Sequence, residues 1–201
     1  MPRPPLTSPP AIAASEFILG GQKSGKSRRA ELLARDWLAA APQHRAVLLA
    51  TGQAWDDEMS ERIARHQRDR AERVPGLATV EVPLHLAEAI AQHSTAHTLL
   101  VVDCLTLWLT NWLMPVQEYQ PKEALAHVIP AQIAMLLVAI KDAPGPVVLV
   151  GNEIGLGVIP MGREVRAFVD ALGRLNQDVA AVCGRVTLMA AGLPLTLKEP
   201  S

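Results

Sequence analysis

The sequence predicts an α/β domain built on a mostly parallel sheet with helices on both faces. Three observations carry that expectation. Short apolar runs alternate with longer segments of helical period, one of those runs (TLLVVD) is apolar on both faces, and 49% of the 201 residues are hydrophobic. A chain of this length suits one domain with a sizeable core.

The elements follow in order. Residues 1–15 carry five of the sixteen prolines and are expected to form a flexible tail before a single domain at 16–201. The tail lacks the apolar core of a secretory signal. The first strand is expected at Glu16–Leu19, followed by a helix at Ser27–Ala40 with Leu32, Leu33, Trp37 and Leu38 inward. A strand at Ala46–Ala50 leads to a helix at Asp57–Arg70, with Asp56 as its N-cap. Next come a strand at Ala78–Val82, a helix at Leu84–Gln92, a strand at Thr98–Val102 and a helix at Thr106–Met114. The helix expected at Lys122–Asp142 contains Pro130, a point for a kink or break. A strand at Val147–Val150 precedes a helix at Arg163–Val182, whose apolar stripe reads Val165, Phe168, Leu172, Leu175, Val179 and Val182. Strands at Val186–Ala190 and Leu193–Lys198 close the chain. Arg73–Gly76 and Pro115–Pro121 read as loops.

A net charge of -1 excludes a global basic field directed at nucleic acid or an anionic membrane. No apolar run is long enough to span a bilayer. Cys104 and Cys183 lie far apart and read as buried thiols in a reducing compartment, which makes the cytoplasm the expected location.

Residues 20–27, GGQKSGKS, match the phosphate-loop pattern G-x-x-x-x-G-K-[ST] with Gly20, Gly25, Lys26 and Ser27 in the required places. A strand precedes them and an amphipathic helix follows, as the motif needs. The glycines let backbone N–H groups close round phosphate oxygens, and the helix N-terminus adds positive potential. Lys26 is expected to reach the β- and γ-phosphates of a nucleoside triphosphate, and Ser27 to ligate Mg2+. Asp103, ending TLLVVD on what should be a neighbouring strand, is the expected second magnesium-side oxygen. It could also cap the next helix.

Two further clusters carry polar chemistry. In ATGQAWDDEMSERIARHQRDR, residues 50–70, Arg62, His66 and Arg70 are spaced by four and share a helix face. An imidazole among arginines tends to stay neutral and can attack phosphorus; the same pattern also fits a solvated, charge-rich face. In VGNEIGLGVIPMGREVRAFVDALGRLNQDVA, residues 150–180, Asn152 and Glu153 fall at the carboxyl end of a strand, where open α/β sheets bind ligands. Gly155 and Gly157 follow, and Arg163, Arg166, Asp170, Arg174 and Asn176 mark the next helix. Surface ion pairing explains those charges equally well.

Together, GGQKSGKSRRAE, the 50–70 block, VVDCLTLWLTN and NEIGLGVIPMGREVRAFVDALGRLNQDVA resemble the bifunctional adenosylcobinamide kinase/adenosylcobinamide-phosphate guanylyltransferase family of cobalamin biosynthesis. The resemblance runs from Phe17 to Lys198, and its second and fourth blocks are more specific than the phosphate loop. It implies a RecA-like fold and a homotrimer. It also implies ATP or GTP phosphorylation of adenosylcobinamide, then transfer of GMP from GTP through a covalent histidine intermediate, releasing pyrophosphate. The matching histidine is His66, and Arg62, Arg65 and Arg70 become candidates for charge stabilisation. Gly20, Gly21, Gln22, Lys23, Ser24, Gly25, Lys26, Ser27, Arg62, Glu81, Asp103, Asn152 and Glu153 become the candidate nucleotide contacts, with His66 and Lys26 catalytic and Ser27 and Asp103 on the metal. The sequence departs from relatives at Gln22 and Lys23, where many carry Ala-Arg, and at Gly151, where Thr or Ser is frequent. Rival readings are a kinase without guanylyl transfer, a RecA-like ATPase motor or regulator, and a nucleotide-binding subunit without turnover.

Overall fold

A computed structural model describes residues 12–53, 57–114, 122–157 and 162–200, with backbone alone at 57–60, 62, 63 and 122–126. Among these residues seven strands form one sheet: β1 Ser15–Gly20, β2 Arg45–Ala50, β3 Leu77–Glu81, β4 Thr98–Asp103, β5 Val147–Asn152, β6 Arg185–Ala190 and β7 Leu193–Lys198. Their order is β3-β2-β4-β5-β1-β6-β7, parallel except for the antiparallel β6–β7 pair. Among the described residues six α-helices accompany them: α1 Lys26–Ala40, α2 Asp57–Arg73, α3 Leu86–His93, α4 Leu105–Leu113, α5 Lys122–Asp142 and α6 Arg163–Val182.

Side-chain alternation along the strands builds a core on each face. Ile18, Leu48, Leu99, Val101, Val148 and Val150 pack with Ala30, Leu33 and Ala34 of α1. Phe17, Leu49, Leu100, Val102, Val147 and Leu149 pack with α3, α4, α5 and α6 through Ile90, Trp108, Leu136 and Leu172. The central strands are apolar on both sides because both sides are covered.

The observed bounds refine several expectations. Ser15 already pairs with Val147 and Ala13 is buried, so the last residues of the expected tail belong to the packed body; residues 1–11 lie outside the described residues. The expected Asp56 cap and the 115–121 loop also lie outside them. α5 runs unbroken through Pro130. Val165 is exposed, so the buried stripe of α6 begins later, at Phe168. On α1 the buried apolar positions are Ala30, Leu33 and Ala34, with Trp37 and Leu38 partly covered; Leu32 lies outside this contact.

Glu16 on β1 is almost fully buried and accepts two hydrogen bonds from Arg29 of α1, at 3.0 and 2.8 Å, and one from Thr187 of β6 at 2.9 Å. Charge-assisted bonds of this kind fix the strand and helix that flank the phosphate loop.

Gly151 leaves room for Phe17. A Cβ at Gly151 would lie 2.9 Å from two ring carbons of Phe17. The aromatic ring thus fills the space that a side chain at position 151 would need. Gly151→Ser is expected to destabilise the fold by about 1–3 kcal/mol through overpacking. Chemical denaturation would measure it, and adding Phe17→Leu should recover part of the loss.

Candidate active site

The carboxyl ends of β1, β2, β3, β4 and β5 lie along one edge of the sheet, placing Gly20, Ala50, Glu81, Asp103 and Asn152 there. β1 ends at Gly20, with φ 152°. A Cβ there would stand 2.5 Å from the Met189 carbonyl oxygen and 2.6 Å from Ser24 Oγ, so only glycine fits. Gly25 has φ 100°, and a Cβ on it would approach Gly192 Cα to 3.3 Å. Gly192 also donates its N–H to the Ser24 carbonyl at 3.0 Å. Ala191 and Gly192, with φ 51° and 79°, form the tight β6–β7 turn, and this turn braces the loop. α1 begins at Lys26, so its unpaired first-turn N–H groups meet the loop.

Lys26 is 8% exposed and its Nζ donates to the Gly21 carbonyl at 2.5 Å, with Ser24 Oγ at 3.4 Å. Burial lowers its pKa from 10.5, opposed by Cys104 and Asp103, whose ionised forms favour the ammonium. The amine therefore loses its proton earlier on the alkaline side than an ordinary lysine. Nucleotide affinity is expected to fall as pH rises, starting below 10.5, in binding titrations across that range. The sign for stability is opposite: burying the charged amine costs free energy, and that cost is relieved as pH rises from the lowered pKa towards 10.5.

Ser27 Oγ lies 3.4 Å from Asp103 Oδ1. The expectation that Asp103 ends a strand next to β1 is corrected: β5 lies between β4 and β1, and the two oxygens meet across its end. Asp103 does not cap α4; Cys104 holds that position without a side-chain cap bond. Thr51, fully buried, braces the carboxylate's backbone. Its N–H donates to the Asp103 carbonyl, while its hydroxyl donates to the Cys104 carbonyl and accepts from the Cys104 N–H. Asn111 donates to the Thr51 and Pro83 carbonyls behind it. Both cysteines are free and buried, and burial raises Cys104 to about 11 and Cys183 to about 12, so neither is a thiolate at neutral pH.

The end of β5 faces the loop. Glu153 donates its backbone N–H to the Gly20 carbonyl at 3.2 Å, and the Asn152 N–H is taken by Thr106 Oγ1 at 2.9 Å. Asn176, only 4% exposed, donates from Nδ2 to the Asn152 carbonyl and to Glu153 Oε2, at 3.1 and 3.3 Å. Beside them, Ile154 and Gly155 of the short turn Ile154–Leu156 and the facing side of α6 line an open cavity of about 440 Å³.

His66 sits exposed on α2 and makes no hydrogen bond or ion pair with the described residues; Arg65 beside it is also exposed. The side chain of Arg62 lies outside the described residues. Arg70 departs from its expected role near the transferred phosphorus. It is buried, with Nε 3.6 Å from Glu31 of α1, and Arg73 pairs with the same carboxylate. These pairs anchor the end of α2 on α1. Glu81 is exposed at the end of edge strand β3.

Thr51, Thr106 and the bracing turn carry no motif and went unread in the sequence. Asn176 stood out only as one polar residue among several on its helix. Among the described residues no three His, Cys, Asp or Glu side chains gather as a metal cage, and no helix is long and apolar enough to cross a membrane.

A family model described as CobU: Cobinamide kinase / cobinamide phosphate guanyltransferase matches residues 16–197. The chain is 44% identical over 189 residues to the bifunctional adenosylcobalamin biosynthesis protein CobP of Pseudomonas aeruginosa, covering 92% of this chain and 98% of that protein. It is 36% identical over 187 residues to the bifunctional adenosylcobalamin biosynthesis protein CobU of Escherichia coli, covering 90% and 98%. Among solved structures, the flagellar accessory protein FlaH from Methanocaldococcus jannaschii superposes with a TM-score of 0.51 at 12% identity, over 94% of this chain and 80% of that one. That likeness speaks for the fold alone, a RecA-like P-loop α/β fold.

Proposed function

Because the chain belongs to the cobinamide kinase / cobinamide phosphate guanyltransferase family, we propose how its residues divide the two reactions. The protein is a bifunctional enzyme of adenosylcobalamin biosynthesis that phosphorylates cobinamide and transfers a guanylyl group to the product. ATP and GTP are its nucleotide substrates.

The kinase step is assigned to the phosphate loop. The observation that carries it is Lys26 buried inside a glycine-built loop, with Ser27 and Asp103 paired at its rim. Backbone N–H groups and Lys26 hold the phosphate oxygens and neutralise charge as the γ-phosphoryl moves. Two hard oxygen donors 3.4 Å apart suit Mg2+, which keeps waters and phosphate oxygens in its other positions. Bound there by Ser27 and Asp103, the ion would neutralise the β- and γ-phosphates.

The guanylyl step is assigned to His66. Its nitrogen attacks the α-phosphorus of GTP, forming a phosphoramidate while pyrophosphate leaves. A phosphate oxygen of the kinase product then displaces the imidazole. An exposed imidazole free of partners among the described residues suits a group that must receive and surrender GMP. Arg65 and Arg62 are proposed to balance charge there, while Arg70 is committed to Glu31. Gln22, Lys23, Asn152 and Glu81 complete the nucleotide contacts in this reading.

The test uses GTP labelled at the α-phosphate. Acid-labile, base-stable label on the protein is expected, and its absence with an active kinase would leave a kinase alone. We place the reaction in the cytoplasm, where the nucleotides and two free thiols belong. A homotrimer is the proposed assembly; the exposed Leu193, Leu195 and Leu197 on one face of β7 support burial against another copy, and sedimentation would measure it.

A further inference from the structure

We propose that the cavity between the Ile154–Leu156 turn and α6 admits the hydroxyl-bearing arm of the phosphoryl acceptor, and that Glu153 takes the hydroxyl's proton. The inference rests on the kinase reading above and goes beyond it by assigning the acceptor's place and the base. Glu153 is one backbone hydrogen bond, 3.2 Å, from Gly20 at the start of the phosphate loop. An ionised carboxylate only accepts hydrogen bonds, so it cannot hold bare phosphate oxygens, whose charge it repels. Ser27 and Asp103 already present the oxygen donors at the loop's rim. What a carboxylate offers in this place is a grip on an alcohol and a destination for its proton.

The surroundings fit that task. Buried Asn176 donates to Glu153 Oε2 at 3.3 Å, fixing the carboxylate, and Oε1 has no hydrogen bond among the described residues. The cavity wall continues with Asp170, Arg174 and Gln177, groups that can pair with amides on an acceptor. Its volume of about 440 Å³ takes one amide-linked arm rather than a whole macrocycle. Gly173 opens the wall, since a Cβ there would meet nothing within 4 Å.

In the step, the acceptor's O–H bond breaks and the proton passes to Glu153 Oε1. The alcohol oxygen bonds to the γ-phosphorus, and the bond from that phosphorus to the β–γ bridging oxygen breaks. Its electron pair leaves with the nucleoside diphosphate.

Two variants test this in the full-length protein with ATP and adenosylcobinamide. Glu153→Gln is expected to lower the kinase kcat at least about 100-fold, with ATP affinity and guanylyl transfer to supplied adenosylcobinamide phosphate kept. Gly173→Leu fills the open wall and is expected to raise the acceptor KM at least about tenfold, with the ATP KM unchanged. Unchanged kinase kinetics in both variants would overturn the proposal, as would an ATP-affinity loss large enough to explain the Glu153→Gln defect. A wild-type protein that cannot phosphorylate adenosylcobinamide would instead overturn the kinase reading itself.

Discussion

Lys26→Ala is expected to slow phosphoryl transfer by about 100–1,000-fold, the scale for removing one preorganised charge-stabilising donor. The amine lies inside the loop, 8% exposed, where a cation acts on phosphate oxygens without the screening of bulk water. Single-turnover rates with saturating ATP would isolate the chemical step. The fold should survive: burial of the charged amine is unfavourable, as its lowered pKa records, so the variant's melting temperature should match or exceed that of the parent. Kinase activity retained in full by a folded Lys26→Ala protein would mean that the loop holds something other than the reacting phosphates.

His66→Ala should abolish guanylyl transfer, by roughly 10⁶-fold if it follows other deletions of a covalent nucleophile. The kinase step should persist, because Lys26, Ser27 and Asp103 belong to α1 and β4, whereas His66 projects from α2. The helix itself should stay anchored, since Arg70 and Arg73 still pair with Glu31. Measured together, the two activities should separate cleanly: adenosylcobinamide phosphate accumulates and no labelled protein forms. Equal loss of both would point to a helix that supports the whole site.

Local chemistry made much of this architecture readable. The bounds of α5 and α6 follow from helical period and flanking prolines and glycines, and those of α6 hold although Val165 faces solvent. The phosphate loop is legible because its geometry depends on residues adjacent in the chain. Relations between distant segments were not. Nothing local says that β5 separates β4 from β1, so Asp103 was expected beside the loop strand rather than one strand away. Arg70 and His66 share helical spacing, yet the first finds a buried carboxylate on α1 and the second finds water. Asn176 reads as a surface residue until packing seals it against Asn152 and Glu153. A hairpin tip supporting the loop from the opposite end of the chain leaves no trace in GGQKSGKS.

The bond from Lys26 to the Gly21 carbonyl makes the loop's own backbone a partner for the amine. Any incoming anion must outcompete that internal partner before it gains the lysine. A carbonyl dipole is a modest rival to a triphosphate and a serious one to a lone, weakly charged ion. The expected consequence is a ranking of ligands at this loop, with densely charged phosphate chains competing for the lysine better than small single anions.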